Sequence, residues 1–170
     1  MDLMKYLRDV PDFPKPGIMF KDITPLLAHP EALAETIRRL IEIAGNFEFD
    51  AILAAESRGF LFGAPMALAM KKPLIPLRKP GKLPWKTVNQ KYDLEYGSAE
   101  LQMHLDALKP GQRALLVDDV LATGGTMRAA DDLVRQVGAT SVAAIFILEL
   151  GFLGGKKNLH PLPTYSLISI

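Results

Sequence analysis

Hydrophobic residues recur at helical spacing early in the chain. Within residues 31–44 the apolar side chains share one face of a helix, and Gly45 and Asn46 then interrupt the pattern. These side chains are Leu33, Ile37, Leu40, Ile41 and Ala44. The segment is therefore predicted to form an amphipathic helix.

Further along, short continuous apolar runs are each followed by a polar turn and a helix. The run 50–55 leads through Glu56–Gly59 to a predicted helix over 63–70. The run 114–117 leads through a turn over 118–125 to a second helix. That helix places Met127, Ala130, Leu133, Val134 and Val137 on one face and ends at Gly138.

Two more apolar runs, 74–77 and 141–148, complete the set of predicted core strands. Strands without a polar face must be covered on both sides, as in a parallel sheet between helices. The sequence therefore predicts an α/β fold with a central, mostly parallel sheet flanked by helices.

Two segments differ from this pattern. Residues 100–106 alternate polar and apolar, which predicts a strand with one wet face on an exposed arm or at the edge of the core. Residues 79–91 contain two prolines, one glycine, the only tryptophan (Trp85) and no acid, which predicts a long loop. Long loops inside compact domains are usually functional or disordered.

Composition narrows the possible functions. With 170 residues and 49% hydrophobic content, we expect one domain over residues 1–170. The net charge of +1 gives no global field for nucleic acid or a membrane surface, so neither is expected as a partner. The chain has no cysteine, which excludes disulfides and thiol nucleophiles and fits the cytoplasm. The three histidines, at 29, 104 and 160, are too scattered to suggest a metal site.

The turn Ala122–Thr126 is the strongest candidate for chemistry. A turn that enters a helix offers unpaired backbone N–H groups and the positive end of the helix dipole. Gly124 and Gly125 permit close approach of an anion, and the hydroxyls of Thr123 and Thr126 add donors. Binding of a phosphate is one interpretation, and an ordinary capped strand-to-helix connection is the other.

Asp118 and Asp119 precede this turn and favour a sugar phosphate. Two carboxylates beside a phosphate would repel it unless another group lies between them. They can accept hydrogen bonds from the vicinal hydroxyls of a ribose, or they can bind Mg²⁺. Both interpretations suit a sugar phosphate and both stay open.

The segment Leu116-Val-Asp-Asp-Val-Leu-Ala-Thr-Gly-Gly-Thr126 resembles the phosphoribosyl pyrophosphate signature of the type I phosphoribosyltransferases. The resemblance implies that Asp118 and Asp119 bind the ribose hydroxyls and that Ala122–Thr126 binds the 5-phosphate. It also implies the family's fold, with a small hood and a flexible basic loop. Four other stretches, 12–25, 56–63, 78–84 and 94–97, are similar to the adenine-using members of the family.

This similarity assigns the base site. It implies that Phe20 and Leu150 sandwich adenine and that the backbone near Met19 accepts a hydrogen bond from its amine. On sequence alone, an aromatic residue after Pro-Gly also fits ordinary core packing. Glu95 is implied as the general base that removes the ring proton of adenine, a suitable task for a carboxylate near the base.

The pyrophosphate site is implied in two segments. Ser57 and Arg58 follow a strand and open a helix, so they are expected to bind pyrophosphate, with Arg58 also contacting the base. Because Ala55–Gly59 is one residue away from Gly-x-Ser-x-Gly, a hydrolase with a nucleophilic Ser57 is the rival interpretation. The resemblance implies that the basic residues Arg78, Lys79 and Lys82 neutralise pyrophosphate, although a solvated loop is the more usual explanation of a run of charges. Pro80 stands where the family often has a basic residue.

The resemblance implies a purine salvage enzyme that converts adenine and 5-phosphoribosyl 1-pyrophosphate to AMP and pyrophosphate. Magnesium is expected to enter bound to the substrate, and a homodimer is implied. The alternatives are a 6-oxopurine phosphoribosyltransferase and a non-catalytic regulator that senses phosphoribosyl pyrophosphate.

Overall fold

The computed structural model describes residues 1–93 and 97–170. Its contacts divide the chain into two compact units, Met1–Arg39 and Leu40–Ile170. The expectation of one domain over residues 1–170 therefore stays a prediction. In the described part of the chain, no helix is both long enough and apolar enough to cross a bilayer.

The first unit contains a β-hairpin and helices. After a short 3₁₀ helix at Leu3–Tyr6, strands β1 (Arg8–Pro11) and β2 (Met19–Asp22) pair in antiparallel fashion, with Val10 opposite Phe20. Helix α1 (Thr24–Ala28) follows, and α2 (Pro30–Ala44) continues beyond Arg39 into the second unit. The amphipathic helix predicted over 31–44 is confirmed, whereas the sequence analysis identified neither strand of the hairpin.

The second unit is built on a sheet of five strands, which are β3 (Ala51–Ala55), β4 (Leu74–Leu77), β7 (Arg113–Leu121), β8 (Thr140–Glu149) and β9 (Thr164–Ser169). Their order in the sheet is β4-β3-β7-β8-β9, and every neighbouring pair is parallel. The helices are α3 (Gly59–Met70), α4 (Gly125–Gln136) and α5 (Gly155–Leu159), with a 3₁₀ turn at Gly151–Leu153. The predicted α/β fold with a parallel central sheet is confirmed.

The two faces of the sheet are covered by different helices. Ala51, Leu53 and Ala55 of β3 belong to one buried cluster with the apolar face of α4. The alternate residues of β3 point the other way, where a Cβ atom on Gly63 of α3 would come within 2.6 Å of the Ala54 Cβ. Glycine at position 63 is therefore required for α3 to lie this close to the sheet.

A separate antiparallel pair, β5 (Thr87–Asp93) with β6 (Ser98–His104), extends from the second unit. The predicted loop over 79–91 is therefore wrong from Thr87 onward. Its prolines and glycine end at Pro84, and the residues after them alternate in exposure and pair with β6, a partner that the loop prediction did not consider. The side-chain amide of Gln136 donates to the Asn89 carbonyl and links this pair to α4.

Two other boundaries differ from the prediction. Strand β7 runs on to Leu121, so Asp118 and Asp119 lie within a strand and not in a turn over 118–125. Parallel pairing with β8 up to Leu121–Glu149 extends the strand past its apolar run. Helix α3 begins at Gly59, four residues before the predicted start, because apolar residues occupy all its faces and blur the helical period.

Candidate active site

The order of the strands places a topological switch point between β3 and β7. From β3 the chain moves outward to β4 on one side, while β7, β8 and β9 follow on the other side. Ligands of open α/β sheets bind in the crevice at the carboxyl ends of the strands at such a point. Residues that follow β3 and β7 therefore line the expected site.

The turn Ala122–Thr126, for which the sequence predicts phosphate binding, follows β7, and we call it the phosphate-binding turn. Residues Ala122–Thr126, together with Asp118 and Phe146, line a pocket of about 70 Å³. Gly124 precedes α4 with a φ of 87°, in the left-handed region that favours glycine, and α4 has no side-chain cap. The N–H groups in the first turn of a helix have no partner within it, so they are available to an anion here.

The two aspartates of β7 have different neighbours. Successive residues of a strand point to opposite faces, and it is Asp118 that lines the pocket beside the turn. Asp119 is buried, and its Oδ2 lies 2.6 Å from Nε of Arg58. The structure thus brings the predicted ribose and pyrophosphate residues together through one ion pair.

Burial raises the pKa of Asp118 well above its ordinary value, and the negative charge of Asp119 raises it further. The Asp119 N–H donates to Asp118 Oδ1 at 2.9 Å and opposes this effect. The proton of Asp118 is therefore held more firmly than that of an isolated aspartate.

Arg58 reaches Asp119 because β3 and β7 are adjacent and in register, with Ala54 opposite Val117. The Glu56–Ser57 peptide, between β3 and Arg58, is cis. A Cβ on Gly59 would lie 3.0 Å from Oδ1 of Asp118 and 3.1 Å from the Val117 carbonyl. Glycine at this position therefore lets the start of α3 approach the acid pair.

Glu56 is a site residue that the sequence analysis did not single out. Its Oε2 accepts from Arg78 Nε at 3.1 Å and from the Lys79 N–H at 3.0 Å. Burial acts to raise the pKa of Glu56, but these bonds outweigh burial and lower it. An acid placed directly after a buried strand, two residues before an arginine, was the available signal.

The basic segment after β4 is thus anchored at its start. Arg78 pairs with Gln102 of β6 through two backbone hydrogen bonds of 2.9 and 2.7 Å, and its Nη1 donates to the Lys82 carbonyl at 3.4 Å. The side chains of Lys79 and Lys82 are exposed, as is Trp85.

The predicted base-binding residues lie in different units. Met19, half exposed, and Phe20, whose ring packs edge-on against Phe13 at 5.1 Å between centroids, belong to the hairpin of the first unit. Leu150 follows β8, and its N–H donates to the Leu121 carbonyl. The sandwich of adenine between Phe20 and Leu150 stays a prediction. Glu95 lies outside the described residues.

A parallel sheet with such a turn at its switch point is the arrangement expected of a phosphoribosyltransferase. The family model described as phosphoribosyl transferase domain matches residues 21–158. This assignment removes the hydrolase interpretation of Ser57, because the turn after β3 is part of the phosphoribosyltransferase match.

Comparison with individual relatives shows which phosphoribosyltransferases the chain is similar to. The chain is 52% identical over 169 residues to the adenine phosphoribosyltransferase of Kosmotoga olearia, covering 99% of each chain. It superposes on the crystal structure of the enzyme of that name from Thermoanaerobacter pseudethanolicus with a TM-score of 0.97 and 46% identity, covering 99% of this chain and 98% of that one. The Saccharomyces cerevisiae enzyme, solved with an imino-altritol bisphosphate and adenine, gives a TM-score of 0.91 at 37% identity, with coverages of 98% and 96%. The chain belongs to the adenine phosphoribosyltransferases.

Proposed function

We propose that this protein transfers the 5-phosphoribosyl group of phosphoribosyl pyrophosphate to adenine, giving AMP and pyrophosphate, as a step of purine salvage. The observation that carries the proposal is the ion pair between Arg58 and Asp119, beside the phosphate-binding turn. It joins a cation suited to pyrophosphate and a carboxylate suited to ribose at the switch point of the sheet. The family to which the chain belongs supports adenine as the acceptor.

In this proposal, the substrate lies across the ends of β3 and β7. The turn Ala122–Thr126 binds the 5-phosphate through backbone N–H groups, and Asp118 and Asp119 accept hydrogen bonds from the ribose hydroxyls. Ser57, Arg58, Arg78, Lys79 and Lys82 bind the pyrophosphate. Glu56 supports this role, since it fixes Arg78 and the Lys79 backbone at the start of the basic segment.

The bond between C1 of the ribose and the pyrophosphate oxygen breaks, and the bond from adenine N9 to C1 forms on the opposite face. Both electrons of the broken bond leave with pyrophosphate, whose charge the cations neutralise. Adenine gives up its ring proton as the new bond forms, and Glu95 is the proposed acceptor. No protein nucleophile is required, so positioning and charge stabilisation account for catalysis.

Recognition of adenine is proposed to use Phe20 and Leu150 on the two faces of the base and the backbone near Met19 at its amine. A 6-oxopurine presents an oxygen where adenine has this amine. A carbonyl acceptor would then face another acceptor, and a buried polar edge without a partner is costly.

Magnesium is proposed to enter with phosphoribosyl pyrophosphate. Among the described residues, no three possible ligands from His, Cys, Asp and Glu lie together. The oxygens of the substrate are proposed to supply most of the coordination. Asp118 is the carboxylate beside the phosphate pocket that fits a hard cation. When bound, the ion would offset the negative charge of the leaving pyrophosphate. A cytoplasmic location remains a prediction from the sequence.

The acceptor test comes first. With phosphoribosyl pyrophosphate and magnesium, we expect adenine to yield AMP and pyrophosphate. Its kcat/KM should exceed that for hypoxanthine and guanine by about five- to 150-fold, since an unpaired buried polar edge costs about 1–3 kcal/mol. Product formation is measured by chromatography, with a chelator as the control for magnesium. A preference for hypoxanthine or guanine would contradict the assignment of adenine, and no pyrophosphate release with any base would contradict an enzyme.

A homodimer is also proposed, and the outer face of α3 supports it. Leu61, Ala64 and Leu68 lie at helical spacing on this face and are exposed, Leu68 to 84%. A helix that is apolar on every side is usually buried, and an uncharged face suits pairing with its own copy about a two-fold axis.

Replacing Leu68 with glutamate is expected to convert the dimer to a monomer, because a charge would be buried against its own copy. The mass in solution is measured by light scattering. Leu105→Glu is the control, since Leu105 is an exposed apolar residue outside α3. A monomeric wild type, or a Leu68→Glu variant that remains dimeric, would contradict this interface.

A further inference from the structure

Helix α5, near the C-terminal end of the chain, contacts the phosphate-binding turn. Asn158 Nδ2 donates to the Thr123 carbonyl at 2.8 Å. Leu159 is buried, and its Cγ would lie 3.4 Å from a Cβ built on Gly124. The turn is therefore supported by a segment about thirty residues further along the chain.

The closest approach is between Gly155 and the turn. A Cβ on Gly155 would collide with the Ala122 carbonyl oxygen and would lie 2.8 Å from Leu121 Cδ1. In the other direction, a Cβ on Gly124 would lie 2.9 Å from the Gly155 carbonyl oxygen. The φ angle of Gly155 is not in the left-handed region. Glycine is therefore required there because a side chain would have no room, and not because of the backbone conformation.

These contacts fix two successive peptide planes. A peptide is planar and trans, so its N–H points opposite to its C=O. The Ala122 carbonyl abuts Gly155, which sets the direction of the Thr123 N–H. The Thr123 carbonyl accepts from Asn158, which sets the direction of the Gly124 N–H. Both N–H groups belong to the residues that line the phosphate pocket.

We propose that α5 is a brace for the phosphate-binding turn, and that Gly155 and Asn158 are positioning residues for the 5-phosphate of the substrate. The identity of that substrate rests on the proposed function. The brace orients the N–H donors before the substrate arrives, so less ordering is required on binding. Its loss weakens phosphate binding and leaves the base site unaffected.

Gly155→Ala and Gly111→Ala form a matched pair for the test. Gly155→Ala pushes the Ala122 carbonyl into the turn, so the Kd for ribose 5-phosphate is expected to rise about tenfold. Gly111 has a φ of 84° and no heavy atom within 4 Å of its Cβ position, and it precedes β7, whereas the turn follows β7. Its alanine variant therefore introduces backbone strain without touching α5 or the turn. Gly111→Ala should lower Tm and leave Kd unchanged. Calorimetry measures Kd, and thermal unfolding measures Tm.

Asn158→Leu removes the donor at an exposed position that does not threaten folding, and about a fivefold rise in Kd is expected. Asn158→Gln retains an amide donor and should restore part of the binding. In steady-state assays, both Gly155→Ala and Asn158→Leu should raise KM for phosphoribosyl pyrophosphate, with kcat and KM for adenine within about twofold of wild type.

The outcomes separate the brace from the proposed function. Equal Kd values for Gly111→Ala and Gly155→Ala, or an unchanged Kd in Asn158→Leu, would overturn the brace, even if the wild type transfers phosphoribose to adenine. Failure of the wild type to bind ribose 5-phosphate would overturn it too. Weakened ribose 5-phosphate binding without transfer to adenine would support the brace and remove the proposed function.

Discussion

Asp119→Asn is expected to lower kcat/KM for phosphoribosyl pyrophosphate by about a hundredfold. The substitution keeps the shape of the side chain but removes the charge that pairs with Arg58 at 2.6 Å and that is proposed to accept from ribose. A hydrogen bond to a charged group contributes about 1.5–3 kcal/mol, and about 3 kcal/mol corresponds to about a hundredfold. Steady-state kinetics with varied phosphoribosyl pyrophosphate at saturating adenine measure the loss.

Asp118→Asn is the matched comparison for this variant. Burial and the Asp119 charge raise the pKa of Asp118, so these surroundings disfavour its charged form, and the neutral asparagine changes the site less at this position. We therefore expect a smaller loss than in Asp119→Asn. Equal losses in the two variants would contradict the different roles assigned to the two acids, and an unchanged kcat/KM in Asp119→Asn would remove it from the ribose site.

Much of the fold was predictable because each of these core strands is a continuous apolar run in the sequence. The runs 74–77 and 141–148 are apolar throughout, and the structure has strands at Leu74–Leu77 and Thr140–Glu149. Strand β5 was not predictable in the same way, because its polar sequence becomes a strand only through pairing with β6. The same applies to β7 beyond Val117, where pairing with β8 extends a strand through two acids.

The residues of the candidate site also differ in whether the sequence alone could predict them. The acid pair and the phosphate-binding turn are contiguous in sequence, so a local pattern could indicate them. The ion pair between Arg58 and Asp119 depends on the register of β3 against β7, which sequence spacing does not contain. Gly155 and Asn158 were missed because their partners are some thirty residues away and their own segment carries no motif. The proposed role of Glu95 rests on the resemblance.

Glu56 was also missed, and its removal has the second large expected effect. In Glu56→Ala, Arg78 and the Lys79 N–H lose their shared acceptor, and the start of the basic segment is no longer fixed. We expect kcat/KM for phosphoribosyl pyrophosphate to fall about thirtyfold, equivalent to about 2 kcal/mol, within the range for hydrogen bonds to charged groups. The loss should appear in KM, and KM for adenine should stay unchanged.

Glu56→Gln separates the charge of this side chain from its shape. The amide oxygen still accepts one hydrogen bond, so a loss of about fivefold is expected. Glu48→Gln is the control, since Glu48 is 91% exposed and lies 3.9 Å from Arg113. A loss in Glu48→Gln equal to that in Glu56→Gln would show that general charge, and not the anchoring of Arg78, affects the substrate.

The pH dependence of stability provides an independent check on Glu56. Its pKa is lowered in the folded protein from the ordinary 4.5, so its carboxylate stabilises the fold fully above 4.5. That contribution is lost as the pH falls through the lowered pKa. In denaturant unfolding, the wild type should therefore exceed Glu56→Gln in free energy of unfolding at neutral pH, and the two should converge in acid. A difference that stays constant down to acid pH would mean that the Glu56 carboxylate is not the charged acceptor of Arg78 and Lys79.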